Sequence, residues 1–298
     1  MTTSPLVVIV GTTAVGKTAL SLEIAEAIDA EIINADSMQL YRGMDIGTAK
    51  LPESERRGIA HHMLDVLEVT QGASVSDYQL AARAIVDDIH KRGKRVVVVG
   101  GSGLFIQGLL EDMQFPANDP AVRERLEQEA DEFGIDALYQ RFVEIDPVAA
   151  ARVLPTNARR VIRALEVIEL TGSAPTTRLE ALPEILPSVR IGLRRERPEL
   201  DERILRRVDM MWEQGLVDEV QMLEARGLRE GITASRALGY AQVLNALSGE
   251  ITMDEAREQT VFATRRYARR QDSWFNRDAK IRWFDAASVT AGDLPLGL

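Results

Sequence analysis

Residues 6–28 read LVVIVGTTAVGKTALSLEIAEAI, and within them Gly11–Thr18, GTTAVGKT, fits the pattern G-x-x-x-x-G-K-[ST]. The apolar run Leu6–Val10 is short, unbroken and rich in β-branched side chains, as in a strand buried on both faces. After the loop, apolar residues recur at helical spacing. The bare pattern arises often by chance, as an ordinary glycine turn; between a strand and a helix it rarely does. In that setting the loop amides and the helix N-terminus bind anionic oxygens. Lys17 neutralises phosphate charge, and the Thr18 hydroxyl can ligate a magnesium ion. The ligand expected is a phosphate or diphosphate, with ATP as the first candidate.

Outward from this loop, AEIINAD (30–36) and KRVVVVGG (94–101) read as further buried strands. Between them SDYQLAARAIVDDIHKRG (76–93) reads as an amphipathic helix stopped at Gly93. Alternating strands and helices predict a mostly parallel sheet covered on both faces. After Phe115 the texture changes. The breaker cluster PANDP (116–120) offers Asp119 as an N-cap before Pro120, and the following segments, 121–133, 135–145, 146–154 and 158–170, all carry helical patterns. The stretch TGSAPTTRLEALPEILPS (171–188) leads into VRIGL (189–193), a strand returning to the sheet. The expected fold is an α/β, P-loop NTPase-like parallel-sheet core, residues 1–115 and 188–298, with an all-helical insertion domain at 116–187. Charged helices are expected over 199–214, 216–226 and 252–275.

The chain has 298 residues, 45% of them hydrophobic, enough for a full core and one or two domains. A net charge of −10 argues against a general polyanion binder, so any nucleic-acid surface must be local. With no cysteine there are no disulfides, thiol nucleophiles or cysteine metal sites. The N-terminus lacks the marks of a signal peptide and no apolar run reaches membrane-spanning length, so a cytoplasmic protein without membrane contact is expected. Without an obvious coiled coil or exposed apolar helix, a monomer is the default.

A nucleotide-hydrolysing P-loop protein needs a second acid, usually an aspartate ending a hydrophobic strand. The strand 96–99 runs instead into GGSGLF (100–105), which has no carboxylate. AEIINAD does end in one, Asp36, placed at the carboxyl edge of the sheet where ligands bind in open α/β folds. Asp36 is a candidate magnesium ligand or general base, or a cap for Ser37 and Met38.

The segments GTTAVGKT, NADSMQLYRGMDIGTAK (34–50), HHMLD (61–65), VVVGGSGLF (97–105), RRVIRALEV (159–167) and RRQDSWF (269–275) occur in this order over nearly the whole chain. In order and spacing they resemble the tRNA dimethylallyltransferases, also called tRNA isopentenyltransferases. The resemblance implies transfer of a prenyl group from dimethylallyl diphosphate to the exocyclic amine of the adenosine just 3′ of the anticodon, with Mg2+. It further implies that Gly11, Thr13, Ala14, Val15, Gly16, Lys17 and Thr18 hold the diphosphate together with Arg207. On its sequence alone Arg207 reads as a solvated helix face. Asp36 matches the family's proposed base, and Ser102 stands where the family usually has threonine, keeping the catalytic hydroxyl. Phe105 replaces a common tyrosine and Thr12 a common proline.

For the acceptor, the resemblance implies tRNA contacts from Asp36, Ser37, Met38, Gln39 and Ser102. It adds Arg123, Arg159, Arg160 and Arg163 in the insertion, Arg236, Gly239 and Tyr240 in SRALGYA (235–241), and Arg269 and Arg270. The residues themselves offer a basic stripe, Arg265 with Arg269 and Arg266 with Arg270, with Tyr267, Trp274 and Phe275 nearby. Cations for phosphates and aromatics for stacking suit a single-stranded RNA loop, and a solvated helix with core aromatics is the competing reading. Two basic surfaces on separate lobes would clamp an anticodon arm. The target adenosine would have to be extruded into a channel passing Asp36, with the donor entering from the other side. His61 and His62 are adjacent and cannot both face one site from a strand, so a histidine metal site is not expected. Met210 and Met211 read as helix core. The enzyme alternative is an ATP-dependent small-molecule kinase, disfavoured by the missing strand-end acid. A GTPase-like RNA-binding module is disfavoured because N-K-x-D is absent.

Overall fold

A computed structural model describes residues 4–115, 119–174 and 182–296. Pro116–Asn118 of the breaker cluster and residues 175–181 of the second linker lie outside the described residues. In chain order the elements are β1 (Leu6–Gly11), α1 (Lys17–Ala27), β2 (Ala30–Asn34), β3 (His61–His62), α2 (Val75–Lys91), β4 (Arg95–Val99) and α3 (Gly103–Leu110). The helices α4 (Pro120–Phe133), α5 (Ile135–Ile145), α6 (Pro147–Ala150) and α7 (Ala158–Thr171) follow. The chain then continues through β5 (Ser188–Arg194), α8 (Arg197–Glu213), α9 (Leu216–Glu224), α10 (Tyr240–Leu247), α11 (Met253–Phe275) and β6 (Ile281–Asp285).

The six strands form one sheet in the order β3-β2-β4-β1-β5-β6, and every pairing is parallel. Because side chains alternate along a strand, β1 feeds two cores. Leu6, Val8 and Val10 join Ile33, Val96 and Val98 against α2 and α3, while Val7 and Ile9 join Ile32, Val97 and Ile191 against α1 and α8. Burial on both faces is why β1 and β4 read as continuous apolar runs, each such side chain contributing about 1.5–3 kcal/mol on burial. The chain leaves β1 toward β2 on one side of the sheet and later returns to β5 on the other. The loops after β1 and β4 therefore diverge at the carboxyl edge, opening the crevice where α/β sheets place ligands.

Two compact units are present: Met1–Glu111 with Glu184–Leu298, and Asp112–Pro183. The second unit is all helical in its described residues, around Leu126, Leu138, Phe142, Val161 and Leu165. Its bounds differ from 116–187 for a backbone reason. The amides of Ile185 and Leu186 donate to the Leu110 carbonyl, and Glu111 bridges Glu184, tying residues 184–187 to the sheet unit. Asp119 caps α4 by accepting from the Ala121 amide at 2.9 Å, and Asn157 caps α7 through the Arg160 amide. A third core cluster in the sheet unit gathers Tyr41 and Met44 with α9 and α10 residues such as Val220 and Val243.

Candidate active site

The loop after β1 is shaped from inside and from outside. Gly11 has φ +146°, and a Cβ there would stand 2.8 Å from the Leu193 carbonyl oxygen, so only glycine lets β1 lie against β5 and turn. Lys17 folds its ammonium back onto the loop, donating to the carbonyls of Gly11 at 3.0 Å and Thr12 at 2.7 Å. From outside, Arg195 donates to the Val15 carbonyl at 3.0 Å, Arg203 to the Ala14 carbonyl at 2.8 Å, and Arg207 to the Thr13 hydroxyl at 3.3 Å. Helix α1 opens on Gly16 with no side-chain cap, leaving its first amides for a ligand. Thr18 is exposed at this end.

This crowding of cations shows in their acidities. Burial pushes the Lys17 ammonium down to about 8; Asp36 pulls it back up and Arg207 lowers it further. Arg207 is likewise lowered by burial and by Arg203, with Asp36 opposing. Arg207 is therefore part of the loop's wall, where sequence alone placed it in solvent.

Asp36 follows the end of β2. Asn34 accepts the Asp36 amide at 3.0 Å and donates to the Asp36 and Met63 carbonyls at 3.0 and 2.9 Å. One carboxylate oxygen of Asp36 accepts the Met38 amide at 2.9 Å, which is the capping role anticipated for it. The other makes no hydrogen bond to the described residues. Ser102 accepts the Ser37 amide at 3.1 Å and its hydroxyl donates to the Ser37 hydroxyl at 3.4 Å, so it braces the residue next to Asp36. The glycines around it permit close contact: a Cβ on Gly101 would fall 2.2 Å from the Gln271 amide nitrogen.

The loop after Asp36 is held by buried charge. Glu219 accepts the amides of Asp45, Ile46 and Gly47 at 2.8–3.2 Å and the Tyr240 hydroxyl at 2.5 Å. Lys50, 8% exposed, donates to the Tyr41 carbonyl, Asp45 and Asp65. Gln39 donates to the Thr48 carbonyl at 3.0 Å, so it too is engaged within the loop.

These pieces surround a cavity of about 230 Å³. Thr13, Asp36 and Arg207 form its polar side; Val208, Met211, Ala237 and Leu238 form an apolar one. Arg236, Tyr267 and Arg270 also face it. Met211 thus belongs both to a core cluster and to the cavity wall, a double placement the helix-core reading did not include. Beside it, Arg266, Arg269, Arg270, Ser273, Trp274 and Arg277 line a shallow hollow of about 340 Å³ along α11, and Arg270 borders both spaces.

Several sequence expectations need correction. Tyr240 is fully buried and bonded to Glu219, and Gly239 is buried at the start of α10, so neither presents a side to RNA. Arg265 pairs with Asp201 and donates to its carbonyl, which removes it from the basic stripe and leaves Arg266, Arg269 and Arg270. In the helical unit Arg159 and Arg160 are exposed, whereas Arg123 and Arg163 both engage the buried carboxylate of Glu166. His61 bonds the Ile59 carbonyl and His62 bonds Glu31, each on its own, and no cluster of three metal-ligating side chains occurs among the described residues. Arg195 and Arg203 had no marker in the sequence, and Gln271 stood within RRQDSWF with no role assigned: each acts on a backbone group far along the chain.

The family model described as IPP transferase matches residues 39–278. The chain belongs to the IPP transferase family. It is 58% identical over 293 residues to the tRNA dimethylallyltransferase of Thermobifida fusca (strain YX), covering 96% of this chain and 92% of that protein. Among solved structures, the full-length tRNA isopentenylpyrophosphate transferase of Bacillus halodurans is 42% identical with TM-score 0.71, covering 95% of this chain and 90% of the other. A eukaryotic dimethylallyltransferase captured acting on tRNA is 28% identical with TM-score 0.80, over 95% of this chain and 74% of that one. Membership in this family places the chain among the prenyl transferases and its core among the P-loop NTPase-like sheets. No described helix is long and apolar enough to cross a membrane.

Proposed function

We propose that the chain transfers a dimethylallyl group from dimethylallyl diphosphate to N6 of the adenosine 3′ of the anticodon in tRNA. The observation that carries this reading is the cavity in which the Thr13 end of the phosphate loop, Arg207 and the free oxygen of Asp36 face one another beside an apolar wall. The diphosphate fits the uncapped amides of α1 with Lys17 and Arg207 on its oxygens, and the prenyl group fits the apolar side. As N6 bonds to the allylic carbon, the carbon–oxygen bond to diphosphate breaks and the N6 proton passes to Asp36. An exocyclic amine is a weak nucleophile, and removing its proton as the bond forms is where a carboxylate helps. Lys17 and Arg207 stabilise the charge growing on the departing diphosphate.

The residues fit a magnesium ion of the sparse kind that phosphate sites use. Thr18 offers an exposed hydroxyl with no protein partner among the described residues, and the donor's own oxygens complete the set. Such an ion supplies charge neutralisation at the leaving group. The hollow along α11, with Arg269, Arg270 and Trp274, and the exposed Arg159 and Arg160 of the helical unit are the proposed tRNA contacts. Arg236 faces the cavity where a flipped base would enter.

The test is incubation of the protein with unmodified tRNA, magnesium and labelled dimethylallyl diphosphate in the absence of ATP. Label is expected on the adenosine 3′ of the anticodon. No label in tRNA, or label only when ATP is added, refutes the reading.

A further inference from the structure

We infer that Gln271 is a positioning residue for the diphosphate loop, a role that rests on the site proposed above. The residue is 5% exposed and its amide spans two loops: the carbonyl oxygen accepts the Thr13 amide at 2.9 Å, and the nitrogen donates to the Gly101 carbonyl at 3.0 Å. Thr13 is thereby held from both ends, its N–H on α11 through Gln271 and its hydroxyl on α8 through Arg207. Residues 267, 271 and 274 lie one and two turns apart along one face of α11. Tyr267 on this face borders the cavity with Asp36, and Trp274 sits so close to Gly103 that a Cβ there would meet its indole nitrogen at 2.1 Å. Arg266 and Arg269 on α11 and Arg277 just beyond its end are exposed and line the hollow, which Trp274 also borders. One helix thus fixes the phosphate loop and the GGSG loop with its inner side while its outer side is basic.

The Thr13 amide is used up by this bond and does not serve a phosphate. Its value is orientation: with the peptide fixed, the following amides at Ala14 through Thr18 keep one arrangement around the anion. Without Gln271 the Thr13 N–H loses its acceptor and the loop can turn it inward, so the preformed cradle must be re-formed on each binding event.

The experiment compares Gln271→Met, which keeps the side chain's length but neither hydrogen bond, with Ala256→Gly, which weakens the buried side of the same helix about four turns from Gln271. Pyrophosphate binding and binding of an anticodon stem-loop RNA are each measured by calorimetry, alongside melting temperature. Gln271→Met is expected to loosen pyrophosphate by about tenfold while RNA affinity stays within about twofold, and Ala256→Gly is expected to change neither despite a comparable loss of thermal stability. Equal loosening of pyrophosphate in both variants, or loss of RNA affinity matching that of pyrophosphate, overturns the proposal. Should Met at 271 prevent folding, Gln271→Asn, too short to reach both loops, is expected to give the same split. Pyrophosphate binding does not depend on prenyl transfer. Failure of the proposed reaction and failure of this inference are therefore separate results.

Discussion

Replacing Asp36 by asparagine separates the base from the scaffold. Asparagine keeps an oxygen for the Met38 amide, now 2.9 Å from the carboxylate, and leaves the backbone bonds to Asn34 in place. What it loses is the basic oxygen facing the cavity. General-base assistance contributes roughly 10²–10⁴ in rate, about 2.7–5.4 kcal/mol of barrier, and that is the expected drop in kcat. RNA affinity is expected to change by less than about threefold, because no charge on the α11 hollow is altered. The assay is single-turnover transfer from labelled dimethylallyl diphosphate with enzyme in excess over tRNA, which isolates the chemical step from product release.

The same substitution carries an electrostatic signature. Asp36 raises the Lys17 ammonium against the larger effect of burial, which brings it to about 8. Without the carboxylate, Lys17 loses its proton at lower pH. Pyrophosphate affinity in Asp36→Asn is therefore expected to begin falling at a lower pH than in the unaltered protein. A kcat loss below about tenfold, or an unchanged pH dependence of pyrophosphate binding, would refute the reasoning, the first for the base and the second for the Asp36–Lys17 coupling.

Four further outcomes follow from the same geometry. Lys17 is lowered from 10.5 to about 8 in the folded chain, so between these values the unfolded chain binds more protons and Lys17 contributes stability that rises with pH; Lys17→Met is expected to flatten that rise in urea melts from pH 8 to 10.5. Binding of pyrophosphate favours the charged ammonium, so calorimetry near pH 8.5 in buffers of different ionisation enthalpy is expected to show proton uptake that Lys17→Met abolishes. Glu219→Ala strips the acceptor from three backbone amides and the Tyr240 hydroxyl, and is expected to cost about 3 kcal/mol or more in denaturant unfolding. Changing Arg266 and Arg269, which line the hollow but not the cavity, together to alanine is expected to lower the slope of log K against log salt for RNA by about 1.4, two single-strand phosphate contacts, with pyrophosphate binding unchanged.

What could be read from the sequence was what is local. Leu6–Thr18 carries strand, loop and helix in adjacent residues, and Asp36 is marked by ending a hydrophobic run. β3, with only two residues, leaves no periodicity to detect, and β6, IRWFD, alternates charge with aromatics in a way that reads as surface. The role of Gln271, a residue of RRQDSWF, was invisible because its partners stand 258 and 170 residues away and are backbone groups, which carry no sequence identity. The same holds for Arg203 on the Ala14 carbonyl. Tyr240 and Arg265 misled in the opposite direction. The resemblance implied that Tyr240 meets RNA and Arg265 stands in a basic run, but Glu219 and Asp201 arrive from other helices to pair with them.

The pairing pattern also explains how an acidic protein keeps a cationic site. Several arginines of α8, α11 and the turn before α8 are answered locally: Arg195 by Glu199, Arg257 by Asp209, Arg197 by Asp201. Lys17 and Arg207 are not; both are displaced downward by burial, with only Asp36 in opposition. A site of that kind is poorly satisfied when empty and gains most from the ligand carrying the most negative charge. In the proposed reaction that ligand is the departing pyrophosphate, which is more highly charged than its prenyl ester. The two cations therefore bind the transition state, where charge is passing to the diphosphate, more strongly than the donor, which is the condition for raising kcat. The same preference holds the product, so the feature that speeds bond breaking also slows release. Protonation of Asp36 by the adenine amine sharpens this, since it removes the one negative charge that had been competing for Lys17 and Arg207.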